Sequence, residues 1–416
     1  MSESSEPTTV SSRLKLFWGI SGVIFCLMVT IDVFFGKEMF EYSIQLSVNL
    51  QKLDLHSFAH FLSFILTPVI VSYPTFALFF QKDKKAALLH VFALCSLFFV
   101  GAAAKLIYQD GRPSFASTQL SQNTFYCERD YGKPSGHATL TSGVSVIILR
   151  DLTLYSKSTI VKSISFALAA SCVALISVSR LFFGVHSINQ VMLGVCLGIF
   201  VVLTVFVMRN LISDLYFGPI LEKERLGRPK MSYHIILLLT FLLMTTTLSL
   251  LCLKCLSKEQ TPDNANGVGE SAFFNSIVNC SSVKGSHHTG FATKVTADGF
   301  SANLIVALLF GLALSPHPVQ KIQVLNGDRS ACKALLRFFI AIAFLSLVLL
   351  SKYPKVSDRT LYLAKKFLIP IFMGLLVGIL LPALYSSLGL FNKEESSSIK
   401  TELTEPKLKL EMDIEN

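Results

Sequence analysis

The sequence predicts an all-α integral membrane protein: a core bundle of six spanning helices, followed by about four additional transmembrane helices toward the C-terminus. Three observations carry this. Hydrophobic residues make up 52% of the 416-residue chain and charged residues only 15%, with a mean hydropathy of +0.57. Soluble domains are normally about one quarter charged. Apolar runs near the ~20 residues needed to cross a bilayer recur along the chain. Lysine and arginine exceed aspartate and glutamate by ten and are spread over short loops. That pattern suits anchoring beside anionic lipid and excludes a nucleic-acid stripe.

Segment 1–13 is Ser/Thr/Glu-rich and is expected to be a disordered cytosolic N-terminus. It lacks the pattern of a removable signal peptide, so the first apolar run is expected to act as signal and anchor together. The core is expected over 14–210. Its first helix is Leu16 to Gly36, with an amphipathic segment from Lys37 to His56. Ser57 to Phe80 follows, with a kink expected at Pro68 and Pro74. Ala86 to Lys105 is the third. The fourth starts at His137 and is apolar for about a dozen residues before Arg150 and Asp151. Ile160 to Ser179 and Ser187 to Met208 complete the six.

A cytosolic loop is expected over 211–231, then a C-terminal transmembrane region over 232–390. Its helices are Tyr233 to Cys252, Ser301 to Ser315, Leu335 to Leu350 and Phe367 to Leu384. A lumenal loop over 256–300 carries the sequon Asn279-Cys280-Ser281, a possible glycosylation site at Asn279. The tail 391–416 is charged and is expected to be disordered in the cytosol. Lysines and arginines in Gln81–Lys85, Asn210–Met231 and Pro316–Lys333 fall on one side if the N-terminus is cytosolic. Lys352, Lys355, Arg359, Lys365 and Lys366 run against that scheme. The nine cysteines are scattered and imply neither disulfide framework nor zinc motif. His287 and His288 lack further ligands at metal spacing and read as loop histidines.

Chemistry gathers at three places on the same predicted side. The stretch Lys133-Pro134-Ser135-Gly136-His137 ends a polar loop and opens an apolar helix. Its free N–H groups and the helix dipole make an anion site, with a histidine beside it. The second cluster runs from Lys105 through Arg112-Pro113, and the third from Ser179-Arg180 across five residues to His186. Each residue has an ordinary reading alone: Lys105 snorkelling, Arg112 or Arg180 a loop cation, His137 a cap. Together they meet the needs of phosphoryl transfer. Cations neutralise the equatorial oxygens, hydroxyl and backbone donors add hydrogen bonds, one histidine attacks phosphorus, and the other protonates the leaving alkoxide. The protein supplies the positive charge, so no metal or cofactor is called for.

The three clusters read K-x6-R-P, P-S-G-H and S-R-x5-H. They resemble the signature of the type 2 phosphatidic acid phosphatase family, membrane relatives of bacterial acid phosphatases and vanadium haloperoxidases. The likeness covers roughly Phe34 to Met208. It implies a helical phosphatase core with the phosphate site at the outer helix ends. By resemblance, Lys105, Arg112, Ser135, Gly136 and Arg180 bind phosphate, His186 is the nucleophile that becomes a phosphohistidine, and His137 is the general acid.

One position departs from the family. H-x3-D is usual, and here Gln190 stands four residues after His186. Residues i and i+4 share a helix face, so the Gln190 amide oxygen can still orient the ring through Nδ1–H, without contributing charge. The glucose-6-phosphatase-like branch also carries glutamine there. The expected function is a metal-independent membrane phosphatase of phosphomonoesters, acting on phosphatidate or a sphingoid-base phosphate. The alternatives are a sugar phosphatase, or a weak enzyme serving as scaffold or transporter. Expected partners are the phosphorylated substrate and membrane lipids, with no nucleic acid. The expected location is the endoplasmic reticulum or another endomembrane, with a lumenal or extracellular active site.

Overall fold

The computed structural model describes residues 12–80, 84–117, 119–120, 131–217 and 231–259, with isolated positions between 332 and 388. The last three expected helices, Asn279, His287, His288 and the tail 391–416 lie outside the described residues apart from those positions. So do residues 1–11 and most of the loop 256–300.

Among the described residues every element is helical. The first is α1, Ser12–Gln51, and it corrects the expected break at Gly36: the amphipathic segment continues one helix of 40 residues. At ~1.5 Å per residue such a helix is about 60 Å long. Gly36 does not end it because it lies on the packed face, where a Cβ would come 3.1 Å from Asp32 Oδ1. Ser21, Met28, Asp32, Ser43 and Ser47 are the buried residues, while Phe17, Val23, Val33 and Phe34 face outward. Small and polar residues inside with large apolar ones outside is the membrane-protein arrangement, because lipid is as apolar as leucine.

α2 (His56–Phe61), a π-helical turn (Leu62–Leu66) and α3 (Thr67–Phe80) follow. Pro68 has no N–H to continue the ladder, and just before it both the Thr67 N–H and the Thr67 hydroxyl donate to Leu62 O, the hydroxyl at 3.0 Å. The expected irregularity therefore sits before Pro68, and Pro74 is carried inside α3. α4 (Lys84–Tyr108) leads to the short α5 (Pro113–Ala116), and then come α6 (Gly136–Tyr155), α7 (Thr159–Phe182) and α8 (Ile188–Val207). After α8, α9 (Arg209–Ile212) and a second π-helical turn reach Phe217, so the first residues of the expected 211–231 loop are helical. α10 (Met231–Glu259) packs on α4 through Leu248, Ala102 and Leu106.

Among the described residues, five helical stretches are long and apolar enough to cross a membrane: Ser12–Gln51, His56–Pro74, Lys85–Tyr108, Thr159–Phe182 and Ile188–Val207. The chain is a multi-pass membrane protein. α6 is not among them, yet it lies inside the bundle against α3, α4, α7 and α8. Its Ala138, Thr139, Thr141, Ser142, Val144 and Ser145 are buried. A helix that meets protein on most sides need not be apolar.

The α6–α8 approach is close because α8 carries Gly194 and Gly198 one turn apart. A Cβ at Gly194 would lie 2.7 Å from Ser135 O, and one at Gly198 would strike Thr139 O. At the end of the bundle away from His186, α6 is tied by a polar knot. Tyr73 donates to Asp151 at 2.6 Å, His90 stands 3.4 Å from the same carboxylate, and Arg150 lies over the Phe206 ring.

Candidate active site

Three loops are laced together at one end of the bundle by backbone hydrogen bonds. Gly132 N–H donates to Asp110 O at 2.8 Å, Ser114 N–H to Gly184 O at 2.9 Å, and Ser135 N–H to Gln190 O at 3.0 Å. Gly184 has φ +62, a backbone that suits glycine, and it turns the chain from α7 back toward His186. The residue stretches of all three sequence clusters are thereby side by side, and the starts of α6 and α8 stand at the same end.

His186 is buried, at 1% exposure. Its Nδ1 lies 2.8 Å from Gly132 O and 3.3 Å from Gln190 Oε1. A carbonyl oxygen only accepts, so Nδ1 carries the hydrogen and Nε2 of the neutral ring keeps its lone pair. That Nε2 is 3.1 Å from Arg112 Nη1. Arg112 is fully buried and also donates to Val185 O at 2.8 Å and to Tyr131 O at 3.4 Å. Backbone carbonyls thus aim the guanidinium at the histidine.

Gln190 does more than the sequence suggests. Its Nε2 donates to Gly111 O at 2.7 Å, and its Oε1 accepts from Ser187 N–H at 3.3 Å. One amide joins the loop after α4 to the start of α8, while the nearer acceptor for the histidine ring is Gly132.

Arg180, on the last turn of α7, is fully buried and reaches Ser63 Oγ at 3.3 Å. Ser63 in turn pairs with Ser179 at 2.9 Å. Ser135 is the N-cap of α6, and its Oγ is buried with no hydrogen-bond partner among the described residues. Gly136 opens the helix; a Cβ there would meet nothing within 4 Å, which leaves open space beside it. Lys105, on the last turn of α4, and His137, second in α6, are half-buried at the two helix ends that frame the loops.

The sequence reading missed an ion triad beside these residues, with Lys133 and Asp32 buried and Asp110 half-buried. Lys133 Nζ lies 2.6 Å from Asp32 Oδ2 and 2.7 Å from Asp110 Oδ2, with the Tyr108 ring centroid at 5.0 Å. Asp32 Oδ1 also accepts from Asn189 Nδ2 at 2.8 Å. Burial works against the Lys133 ammonium, but Asp110 and Asp32 outweigh it and hold its pKa above the ordinary lysine value. Burial pushes the Asp110 carboxyl up, helped by Asp32, and Lys133 only partly offsets this. Two carboxylates share one ammonium, and Asp110 bears the strain. The available signal was Asp32, an acid inside an apolar spanning run, which demands a partner or a task.

Among the described residues no group of three or more His, Cys, Asp or Glu is placed to hold a metal ion. The arrangement can bind a multiply charged anion at Arg112 and the α6 start, next to the His186 ring nitrogen that faces Arg112. A sequence model of one family, the PAP2 superfamily, matches residues 86–213. Neither the curated proteins nor the solved structures contain a match.

Proposed function

We propose that this chain is an integral-membrane phosphomonoester hydrolase acting through a phosphohistidine; the match of residues 86–213 to the PAP2 superfamily, which implies phosphatase activity on phosphate esters, supports this. The observation that carries the reading is the 3.1 Å approach of Arg112 Nη1 to His186 Nε2, with Nδ1 held by Gly132 O. A phosphate gripped by Arg112 arrives beside the electron pair that must attack it.

The residues divide the work as follows. Arg112, Arg180 and Lys105 neutralise the phosphate oxygens, and Ser135 Oγ and the Gly136 N–H donate to them. The unpartnered Ser135 hydroxyl supports this, because a buried donor without an acceptor costs about 1–3 kcal/mol unless a ligand satisfies it. His186 Nε2 forms the N–P bond as the P–O ester bond breaks, and His137 gives the leaving alkoxide its proton. Water then attacks the phosphohistidine and gives His137 a proton, and inorganic phosphate leaves with Nε2 restored. Gln190 orients the ring from the usual aspartate position.

The proposed substrates are lipid phosphates, phosphatidate or a sphingoid-base phosphate. An apolar groove of about 690 Å³ between α1 and α8, lined by Trp18, Gly22, Phe25, Thr30 and Phe200, supports this. A sugar phosphate is the second reading, favoured by Gln190, which the glucose-6-phosphatase-like branch shares. The proposed setting is an endomembrane such as the endoplasmic reticulum, with the site on the lumenal face; Lys84 and Lys85 at the start of α4 support it by marking the other end as cytosolic.

The test is phosphate release by purified protein in chelator, with phosphatidate, a sphingoid-base phosphate and glucose 6-phosphate compared in one preparation. Release should be fastest with a lipid phosphate and vanish in His186→Ala. Undiminished activity in that variant would remove the nucleophile; preference for the sugar would select the second reading.

A further inference from the structure

We propose that Asp32 of α1, outside the family segment, is a positioning residue for the nucleophile: through Lys133 it fixes the loop whose Gly132 carbonyl holds the Nδ1–H of His186. The inference rests on the phosphatase reading above and names a residue that none of the three motifs contains.

Asp32 is 6% exposed in the middle of α1, where a carboxylate is costly without partners. Each of its oxygens is committed. Oδ2 takes Lys133 Nζ at 2.6 Å and Oδ1 takes Asn189 Nδ2 at 2.8 Å. Lys133 adjoins Gly132, the acceptor of the histidine N–H, and Asn189 adjoins Gln190, the other group at that nitrogen. One carboxylate therefore braces both sides of the imidazole.

The brace acts in one direction because the loop is already packed in the other. A Cβ at Gly132 would come 2.6 Å from Gln190 Oε1 and 2.7 Å from Gly111 O, so on its inner side the loop already packs close against Gln190 and Gly111. The ion pair to α1 keeps it from moving outward. Without it the loop is tied only through Asp110, by the Lys133 pair and the Gly132 N–H bond, so the Gly132 carbonyl can shift off Nδ1 and the ring can turn or change tautomer. The Nε2 electron pair then loses its aim, while Arg112 and Arg180, held by their own partners, still bind phosphate.

The test separates positioning from a purely structural ion pair by comparing two inhibitors. Orthovanadate mimics the five-coordinate transition state and needs an aligned nucleophile; inorganic phosphate needs only the cations. In Asp32→Asn, turnover should fall about 10–100-fold with KM within about threefold, since misplacement by ~1 Å can cost ~100-fold. The vanadate Ki should rise about tenfold or more while the phosphate Ki stays within about threefold, and Asp32→Glu should recover most of the difference. Lys133→Arg keeps both ion pairs but alters their geometry, and should show the same change in the vanadate-to-phosphate ratio; it decides alone if Asp32→Asn does not fold. An unchanged ratio, with activity tracking the folded fraction, overturns the positioning role and leaves the phosphatase intact. Wild-type protein without vanadate-sensitive phosphate release removes the phosphatase reading, and this inference with it.

Discussion

The Gln190 side chain donates to the Gly111 carbonyl at 2.7 Å while its oxygen lies 3.3 Å from His186 Nδ1. A carboxylate cannot do both, because it has no hydrogen to give. Glutamine at this position is matched to its loop, not simply a weaker aspartate.

Gln190→Glu should therefore slow the enzyme although it brings charge to the histidine. The new oxygen would face Gly111 O, and a buried acceptor left unpaired costs about 1–3 kcal/mol, more when charged. Turnover should drop about 10–100-fold, taking ~1.4 kcal/mol as tenfold. Steady-state kinetics beside a melting curve in detergent checks it; a faster variant would mean that charge outweighs the Gly111 bond.

Arg112→Lys should be far from conservative. The guanidinium reaches His186 Nε2 and the Val185 and Tyr131 carbonyls from two nitrogens. A single ammonium cannot hold those carbonyls and grip a phosphate bidentately. We expect kcat/KM to fall by about 100-fold or more, with weaker inhibition by phosphate. Equal phosphate affinity in the variant would contradict the assigned role.

Two glycines should respond differently to alanine. At Gly194 the added Cβ meets the Ser135 backbone carbonyl at 2.7 Å, whereas at Gly143 it meets Leu97 Cδ1 at 2.6 Å, the end of a flexible side chain. Gly194→Ala should cost about 1–3 kcal/mol of stability and also activity, since it pushes on the loop that carries the site. Gly143→Ala should be milder in both. Thermal unfolding and turnover of the two variants, measured together, test the α6–α8 contact.

The ion triad predicts a pH dependence. The raised Lys133 pKa means that its ion pairs contribute fully below the ordinary lysine value and fade only as pH climbs through the raised one. Asp110, also raised, binds its proton more tightly folded than unfolded. Its protonation adds stability as pH falls from the raised value to the ordinary carboxylate value. Asp110→Asn should thus not destabilise the protein near pH ~7, whereas Asp32→Asn should. Melting temperatures of both variants across pH check this; a loss at Asp110 equal to that at Asp32 would contradict it.

The spanning helices outside α6, the three clusters and the position of Gln190 were legible because each is written in local spacing. Hydropathy reports lipid contact, and the motifs lie within short stretches. α6 was only half legible for the same reason: its Ser, Thr and Gly residues face α8 and its neighbours, so the rule that reads lipid contact underestimates it. The continuity of α1 past Gly36 depends on packing against Asn189 of α8, which no window around residue 36 contains.

By itself, the amino-acid sequence determined a multi-pass helical chain with Arg112, His137, Arg180 and His186 in motif order. Only the tertiary structure decided that Lys133 is spent on Asp32 and Asp110, that Gly132 and not Gln190 is the nearer acceptor for His186, and that Gln190 ties α8 to Gly111. Any acid can pair with any base along a chain, and a backbone carbonyl looks the same at every residue. Which pairs form is settled by the close passage of α6 against α8 and of α1 beside the site loop.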